Sequence, residues 1–229
     1  MKVAILGMAP GWKDAESLDS AWDIWGLNDG YRVWCPVEDA PLAKRFTRWF
    51  ELHGNTPLTR ARRQPEHWDA LAALQIPVYT LYDLPGLTTM RRFPIEDVAA
   101  IRDYFSCTFC YQIGLALLEG ATHIHLYGVP LTGAREALVE RPCTEWWLGY
   151  AEGKGVEVKV IHDEDYGLGK QAYRYAFNDQ AERYLAYRFA YQHHDDVDRW
   201  IHYEEMRLRV HRPWWEKYAR RLLAWGVAR

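Results

Sequence analysis

The segment Arg48-Trp49-Phe50-Glu51-Leu52-His53 sets a carboxylate and an imidazole two residues apart. Along a strand that spacing puts Glu51 and His53 on one side. A carboxylate beside a neutral imidazole orients the ring and stabilises its charged form, which suits a general base. A solvated surface pair would have the same sequence. Three other stretches carry residues suited to an anion or a nucleotide. Gly7-Met8-Ala9-Pro10-Gly11 follows an apolar run, and glycines there let backbone N–H groups close on a phosphate. The spacing is not G-x-G-x-x-G, so the standard dinucleotide fingerprint is absent. Trp25-Gly26-Leu27-Asn28-Asp29-Gly30 places Asn28 and Asp29 where they can bond a ribose or base edge, although Asn-Asp-Gly is equally turn composition. Ser106 and Thr108 precede an apolar helical run as N-cap residues; the same hydroxyls and the open N–H groups can cap a phosphate.

Further on, His123-Ile124-His125-Leu126-Tyr127 runs into Gly128, and Glu140, Arg141 and Glu145 open another helix within reach of the same region. His162 is an additional candidate base. The elements that position these residues alternate. Apolar runs at 2–6, 23–27, 48–52, 78–81, 123–127 and 156–161 predict strands, and 68–74, 96–105, 109–119 and 144–154 have helical spacing. Strands alternating with helices imply crossover units and a Rossmann-like α/β fold: a mostly parallel sheet with helices on both faces. In such a sheet every candidate above falls at a strand end or a helix start on one edge, where ligands bind.

The chain has 229 residues, 49% hydrophobic and 26% charged, with a formal net charge of −3. Those values describe a globular protein and exclude disorder or a collagen-like repeat. No apolar run reaches the length of a membrane span, and the opening residues are interrupted too soon for a signal peptide. The expected setting is cytoplasmic. The 12 tryptophans read first as core filling and second as a stacking surface. The cysteines are Cys35, Cys107, Cys110 and Cys143. Cys107-Thr108-Phe109-Cys110 is formally C-x-x-C, but no second pair stands at zinc-site spacing, and burial as small hydrophobes is the favoured reading.

Residues 1–170 read as the nucleotide-binding domain. Residues 171–229 change character, with 11 Lys and Arg against 8 Asp and Glu. There 173–190 and 196–210 read as helices, and Pro213 suits the first turn of a third. Tyr184, Tyr187 and Tyr191 share one face, with Trp214, Trp215 and Trp225 following. A basic aromatic face of this kind fits nucleic acid. Arg stems laid over a core give the same pattern, and that plainer reading is favoured.

Taken together, stretches 2–11, 22–28, 48–53, 105–128 and 141–158 resemble a family of uncharacterised, mostly bacteriophage proteins. The carriers are the Gly-Pro first loop, W-x-I-W-G-x-N, R-W-F-E-L-H and A-L-x-x-G-A-T-x-I-x-L-x-G-V. That family is similar in layout to bacterial sialyltransferases and to pterin diphosphokinase-like proteins. The resemblance implies that Gly7, Pro10, Gly11 and Asn28 hold the nucleotide of a nucleotide-sugar donor, with Ser106 and Thr108 near its ribose and phosphate. It implies no metal; Mg²⁺ would accompany only the diphosphate-transfer alternative, for which carboxylates are scattered. The sequence departs from the pattern at Pro130, where an acid is usual, and in 139–143, which lacks the histidine that sialyltransferases carry there. The expected function is glycosyl transfer from a nucleotide sugar to a DNA or glycan acceptor, with Glu51, His53, Glu140 and Glu145 as catalytic candidates. The alternative is a protein that holds a nucleotide or nucleotide-derived signal without turnover.

Overall fold

The computed structural model describes residues 1–35, 40–42, 44–53, 66–83, 87–133, 136–164 and 167–170. The chain divides between Gly169 and Lys170 into two units; all described residues but Lys170 lie in the first. The helices expected over 173–190, over 196–210 and from Pro213, and the basic aromatic face, lie outside the described residues.

Short apolar runs form the strands β1 (Lys2–Leu6), β2 (Trp22–Leu27), β3 (Phe46–Phe50), β4 (Val78–Thr80), β5 (Met90–Arg92), β6 (His123–Tyr127) and β7 (Glu157–Ile161). They build one sheet in the order β5-β4-β3-β2-β1-β6-β7, with every neighbouring pair parallel. The central strands are buried on both faces: Val3, Ala4, Ile5 and Leu6 of β1 are closed to solvent, as are Ile124 and Leu126 of β6. That is why they read as continuous apolar runs rather than alternating ones. The fold is Rossmann-like α/β.

The connections carry a 3-10 helix (Trp12–Ser17), α1 (Tyr31–Trp34), α2 (Glu66–Ala73), α3 (Ile95–Ile101), α4 (Thr108–Leu118), a π-helical turn (Glu136–Glu140) and α5 (Arg141–Gly153). Three elements depart from expectation. β3 starts and ends two residues early, so Glu51 and His53 belong to the loop beyond it. β5 is a basic edge strand, Met90-Arg91-Arg92 with both arginines exposed, and an edge that buries little has no apolar signature to read. α3 also stops at Ile101, because Arg102 is extended at φ −164° and ψ 125°.

Tryptophans fill the core. Trp25, Trp34, Trp49 and Trp147 are among the largest fully buried side chains, and the Trp49 ring meets Trp34 at 5.6 Å and Phe46 at 5.1 Å, both edge-on. No described helix is long and apolar enough to cross a membrane.

The strand order fixes where a ligand can enter. From β1 the chain runs outward through β2, β3, β4 and β5, then crosses back to place β6 on the other side of β1. The loops leaving β1 and β6 therefore part in opposite directions and open a crevice at the carboxyl edge. At its floor they touch. Gly7 N–H donates to Tyr127 O at 2.7 Å, and Ala9 N–H donates to Gly128 O at 3.2 Å. A Cβ on Gly7 would stand 2.2 Å from Gly128 O, and Gly128 itself sits at φ +66°.

Candidate active site

Above that floor lies a cavity of about 640 Å³, a size that suits a nucleotide-scale ligand. Met8 and Ala9 come from the loop after β1, Asn28 from the end of β2 and His53 from the loop after β3. Ser106, Cys107, Thr108 and Phe109 bring the start of α4, Gly128 to Thr132 the loop after β6, and Glu136 and Glu140 the π-helical turn.

Asn28 is held by its backbone. Its N–H donates to Phe50 O at 2.9 Å, and its carbonyl accepts the Trp49 indole N–H at 2.9 Å. These bonds keep it at φ +50°, a left-handed conformation that Asn tolerates better than most side chains. Its Oδ1 is buried without a hydrogen-bond partner among the described residues, an arrangement that costs stability and points to a functional position.

The Glu51 carboxylate is 1% exposed and both its oxygens are engaged. Oε1 accepts from His53 Nδ1 at 2.8 Å, and Oε2 accepts from His67 Nε2 at 2.8 Å. An ionised carboxylate only accepts, so each facing ring nitrogen carries its proton. His67 in its neutral form then has a bare Nδ1, which accepts the Tyr31 hydroxyl at 3.1 Å. His67 is 1% exposed, whereas half of the His53 side chain is open. The result is a chain from Tyr31 through His67 and Glu51 to an imidazole on the cavity wall. With Nδ1–H committed to Glu51, the nitrogen of neutral His53 that can take a proton is Nε2. Burying a carboxylate is expensive unless such donors surround it.

The α4 N-terminus is another part of the wall. Cys107, not Ser106 or Thr108, is the N-cap, and no side chain caps the helix. The expected capping by Ser106 is replaced by a contact of Ser106 Oγ with Cys110 Sγ at 3.8 Å. The end of this helix therefore keeps uncapped N–H groups and the positive end of its dipole at the cavity.

Other expected site residues stand elsewhere. Gly7 and Gly11 do not line the cavity. Gly7 makes room for Gly128, and Gly11, at φ +99°, would place a Cβ 2.6 Å from His162 Cα. These glycines serve loop-to-loop packing, while Met8 and Ala9 between them face the ligand space. Pro10 and Asp29 are also off the lining; the Asp29 carbonyl accepts Arg32 N–H at 3.0 Å in the turn after β2. Glu140 lines the cavity and Glu145 does not. Glu145 pairs with Arg141 at 3.7 Å, and burial holds its carboxyl above the usual range. His162 is buried, its Nε2–H donating to Leu168 O at 2.8 Å. His67, Tyr31, Glu136 and Glu164 carried no sequence signal of their own; His67 lies 16 residues beyond Glu51. Among the described residues, no group of three or more His, Cys, Asp and Glu side chains is placed to hold a metal ion.

The sequence matches no family model and no curated protein. Solved structures share the fold. A variant of the sialyltransferase CST-II in complex with CMP matches at a TM-score of 0.50 and 12% identity, covering 74% of this chain and 86% of that one. CST-II in complex with a trisaccharide acceptor and CMP gives 0.49 and 13%, covering 73% and 86%. The sialyltransferase CstII from Campylobacter jejuni, in complex with the substrate analogue cytidine-5'-monophosphate, gives 0.48 and 14%, covering 74% and 84%. At these identities the likeness is one of fold.

Proposed function

We propose that the protein is a glycosyltransferase-like enzyme that takes a nucleotide-sugar donor in the cleft between the β1 and β6 loops. The observation that carries this reading is the chain from Tyr31 through buried His67 and Glu51 to half-exposed His53, which lines the same cavity as an uncapped helix N-terminus. A proton acceptor and an anion site facing one space are what transfer of a sugar from a phosphate requires.

In this mechanism Asn28 and the backbone of Ala9 and Gly128 hold the nucleoside. The phosphate sits at the start of α4, within reach of the Ser106 and Thr108 hydroxyls. His53 Nε2 takes the proton of an acceptor hydroxyl as that oxygen attacks the anomeric carbon. The bond from that carbon to the phosphate oxygen breaks, and the helix N–H groups and hydroxyls stabilise the charge left on the nucleotide. Glu51 holds the ring and stabilises the imidazolium, and His67 with Tyr31 holds Glu51. Glu140, in the same lining, bonds hydroxyls of the sugar or acceptor.

The second reading is a protein that binds the same ligand without turnover. Pro130 favours it: this residue lines the cavity at the position where the resembled family usually supplies an acid.

A thermal-shift screen of nucleotides and nucleotide sugars tests both readings, with CMP and CMP-sugars first because the structural neighbours were solved with CMP. A ligand at 100 times its Kd adds about 2.7 kcal/mol of stability. Stabilisation by a nucleotide sugar, with hydrolysis or transfer lost in Glu51→Gln and His53→Ala while stabilisation persists, supports the enzyme. Stabilisation with no product under any condition supports the binder. No shift with any nucleotide overturns both.

A further inference from the structure

The C-x-x-C at the start of α4 brings its two thiols into contact. Cys107 Sγ and Cys110 Sγ are 3.7 Å apart, and Cys143 Sγ from α5 is 3.4 Å from Cys110. Thr144 Oγ1 gives its proton to Glu140 O at 2.8 Å and presents its lone pairs to Cys107 at 3.4 Å and to Cys110 at 3.5 Å. All the cysteines are free thiols. The three differ in access. Cys107 is half-buried and lines the cavity, whereas Cys110 and Cys143 are closed to solvent. Cys143 is further committed, donating its S–H to Tyr104 O at 3.2 Å.

We propose that Cys107 and Cys110 form a reversible disulfide, a thiol–disulfide switch in the cavity wall from which Cys143 is excluded. Cysteines three residues apart over the first turn of a helix fall in the Cα range of roughly 4.4–6.8 Å that a disulfide spans. Side-chain rotation then has to close 3.7 Å to a bond of about 2.05 Å. The hydrogen-bond directions agree. Cys143 gives its S–H to Tyr104 O and Thr144 its O–H to Glu140 O, so both turn lone pairs toward Cys110, whose own S–H donates to Cys143. Cys107 and Cys110 are thus two thiols in contact, and burial pushes Cys143 up to about 12.

The oxidant is a low-molecular-weight disulfide, which meets Cys107 from the cavity. Cys107 gives its proton to water, and its thiolate attacks one sulfur of the small disulfide, releasing one small thiolate. That thiolate takes the proton of Cys110. The Cys110 thiolate attacks Cys107 Sγ in the mixed disulfide and releases the second small thiolate, which takes up the proton that Cys107 gave to water. Two electrons and two protons thus leave the cysteine pair and reduce one small disulfide to two thiols. The bond forms beside Ser106 and Thr108 and draws the N-cap sulfur away from the cavity. Its effect on ligands rests on the cleft reading above, but the disulfide itself does not.

The test incubates the full protein, natively folded, with glutathione disulfide near neutral pH, followed by thiol titration in denaturant and peptide mapping. The expected result is a fall from four reactive thiols to two, a mass loss of two hydrogens without adduct, and Cys35 and Cys143 recovered alkylated. Cys143→Ser still forms the bridge. Cys110→Ser instead stops at a glutathione adduct on Cys107. Four thiols persisting, a bridge containing Cys143, or a lasting adduct on wild-type Cys107 overturns the proposal. Should a variant fail to fold, the wild-type map alone decides. Ligand shifts recorded on both redox forms then report separately on the cleft.

Discussion

Replacing Asn28 by glycine separates what this residue does for the fold from what it does for a ligand. Three free-energy changes follow from its environment. Relief of the φ +50° conformation returns about 1 kcal/mol. The added freedom of glycine in the unfolded chain takes back roughly 0.5–1 kcal/mol, so these two nearly cancel. What remains is the buried Oδ1 with no partner among the described residues, whose desolvation costs about 1–3 kcal/mol. Both anchoring hydrogen bonds are made by the main chain of Asn28, and glycine keeps them. Asn28→Gly is therefore expected to stabilise the protein by about 1–3 kcal/mol, raising Tm by roughly 2–12 °C, while weakening nucleotide binding. Urea unfolding of both proteins gives the first quantity, and nucleotide titration gives the second. A loss of more than about 1 kcal/mol would show that the side chain holds the fold together. A gain in stability with unchanged affinity would remove Asn28 from the ligand's path. Either result refutes the reasoning, because it requires the polar group to be retained at a cost for the sake of binding.

Two further outcomes are expected. His67→Phe strips one donor from the 1% exposed Glu51 carboxylate and lowers stability by about 2–4 kcal/mol; an unchanged urea midpoint at pH 7 would show that His67 does not support Glu51. His125 is held below the ordinary imidazole value of 6.5, first by burial and then by Lys159, against the pull of Glu157. The Trp22 ring lies 4.4 Å from it, tilted by 44°, with His123 and Tyr127 alongside. Below 6.5 the unfolded chain binds a proton that the folded chain does not. Its contribution is thus full above that pH, falls as pH drops toward the folded value and is flat beneath it. The difference in urea midpoint between the parent and His125→Gln, followed from pH 7.5 to pH 5, should show that slope.

The fold was largely legible because a parallel sheet buried on both faces writes its strands as apolar runs, and β1 and β6 fall where those runs lie. β5 was not, since an exposed edge of Met90, Arg91 and Arg92 needs no apolar residues. The gathering of Asn28, His53, Ser106, Thr108 and Gly128 around one cavity follows from topology alone, because all parallel strands end at one edge. Finer placement did not. In Gly7-Met8-Ala9-Pro10-Gly11 the glycines attract attention as phosphate loops do. Yet the chain spends them where two backbones must touch, Gly7 on Gly128 and Gly11 on His162, and the ligand space goes to Met8 and Ala9.

The same limit governs the carboxylates. Glu140 and Glu145 look interchangeable in sequence, but five residues along a helix turn the side chain by about 140°, so only one of them can face a given cavity. Glu140 does, and Glu145 turns to Arg141. A chain such as Tyr31–His67–Glu51 is harder still to foresee. His67 falls on the buried face of α2 beside Leu71, and a histidine at a core position of an amphipathic helix is ordinary packing until its partner is known. That partner comes from a different strand end, and no periodicity links the two. The loops at the carboxyl edge make the sites, but it is the buried polar side chains behind them, placed by tertiary packing, that decide which loop residue is held as a base.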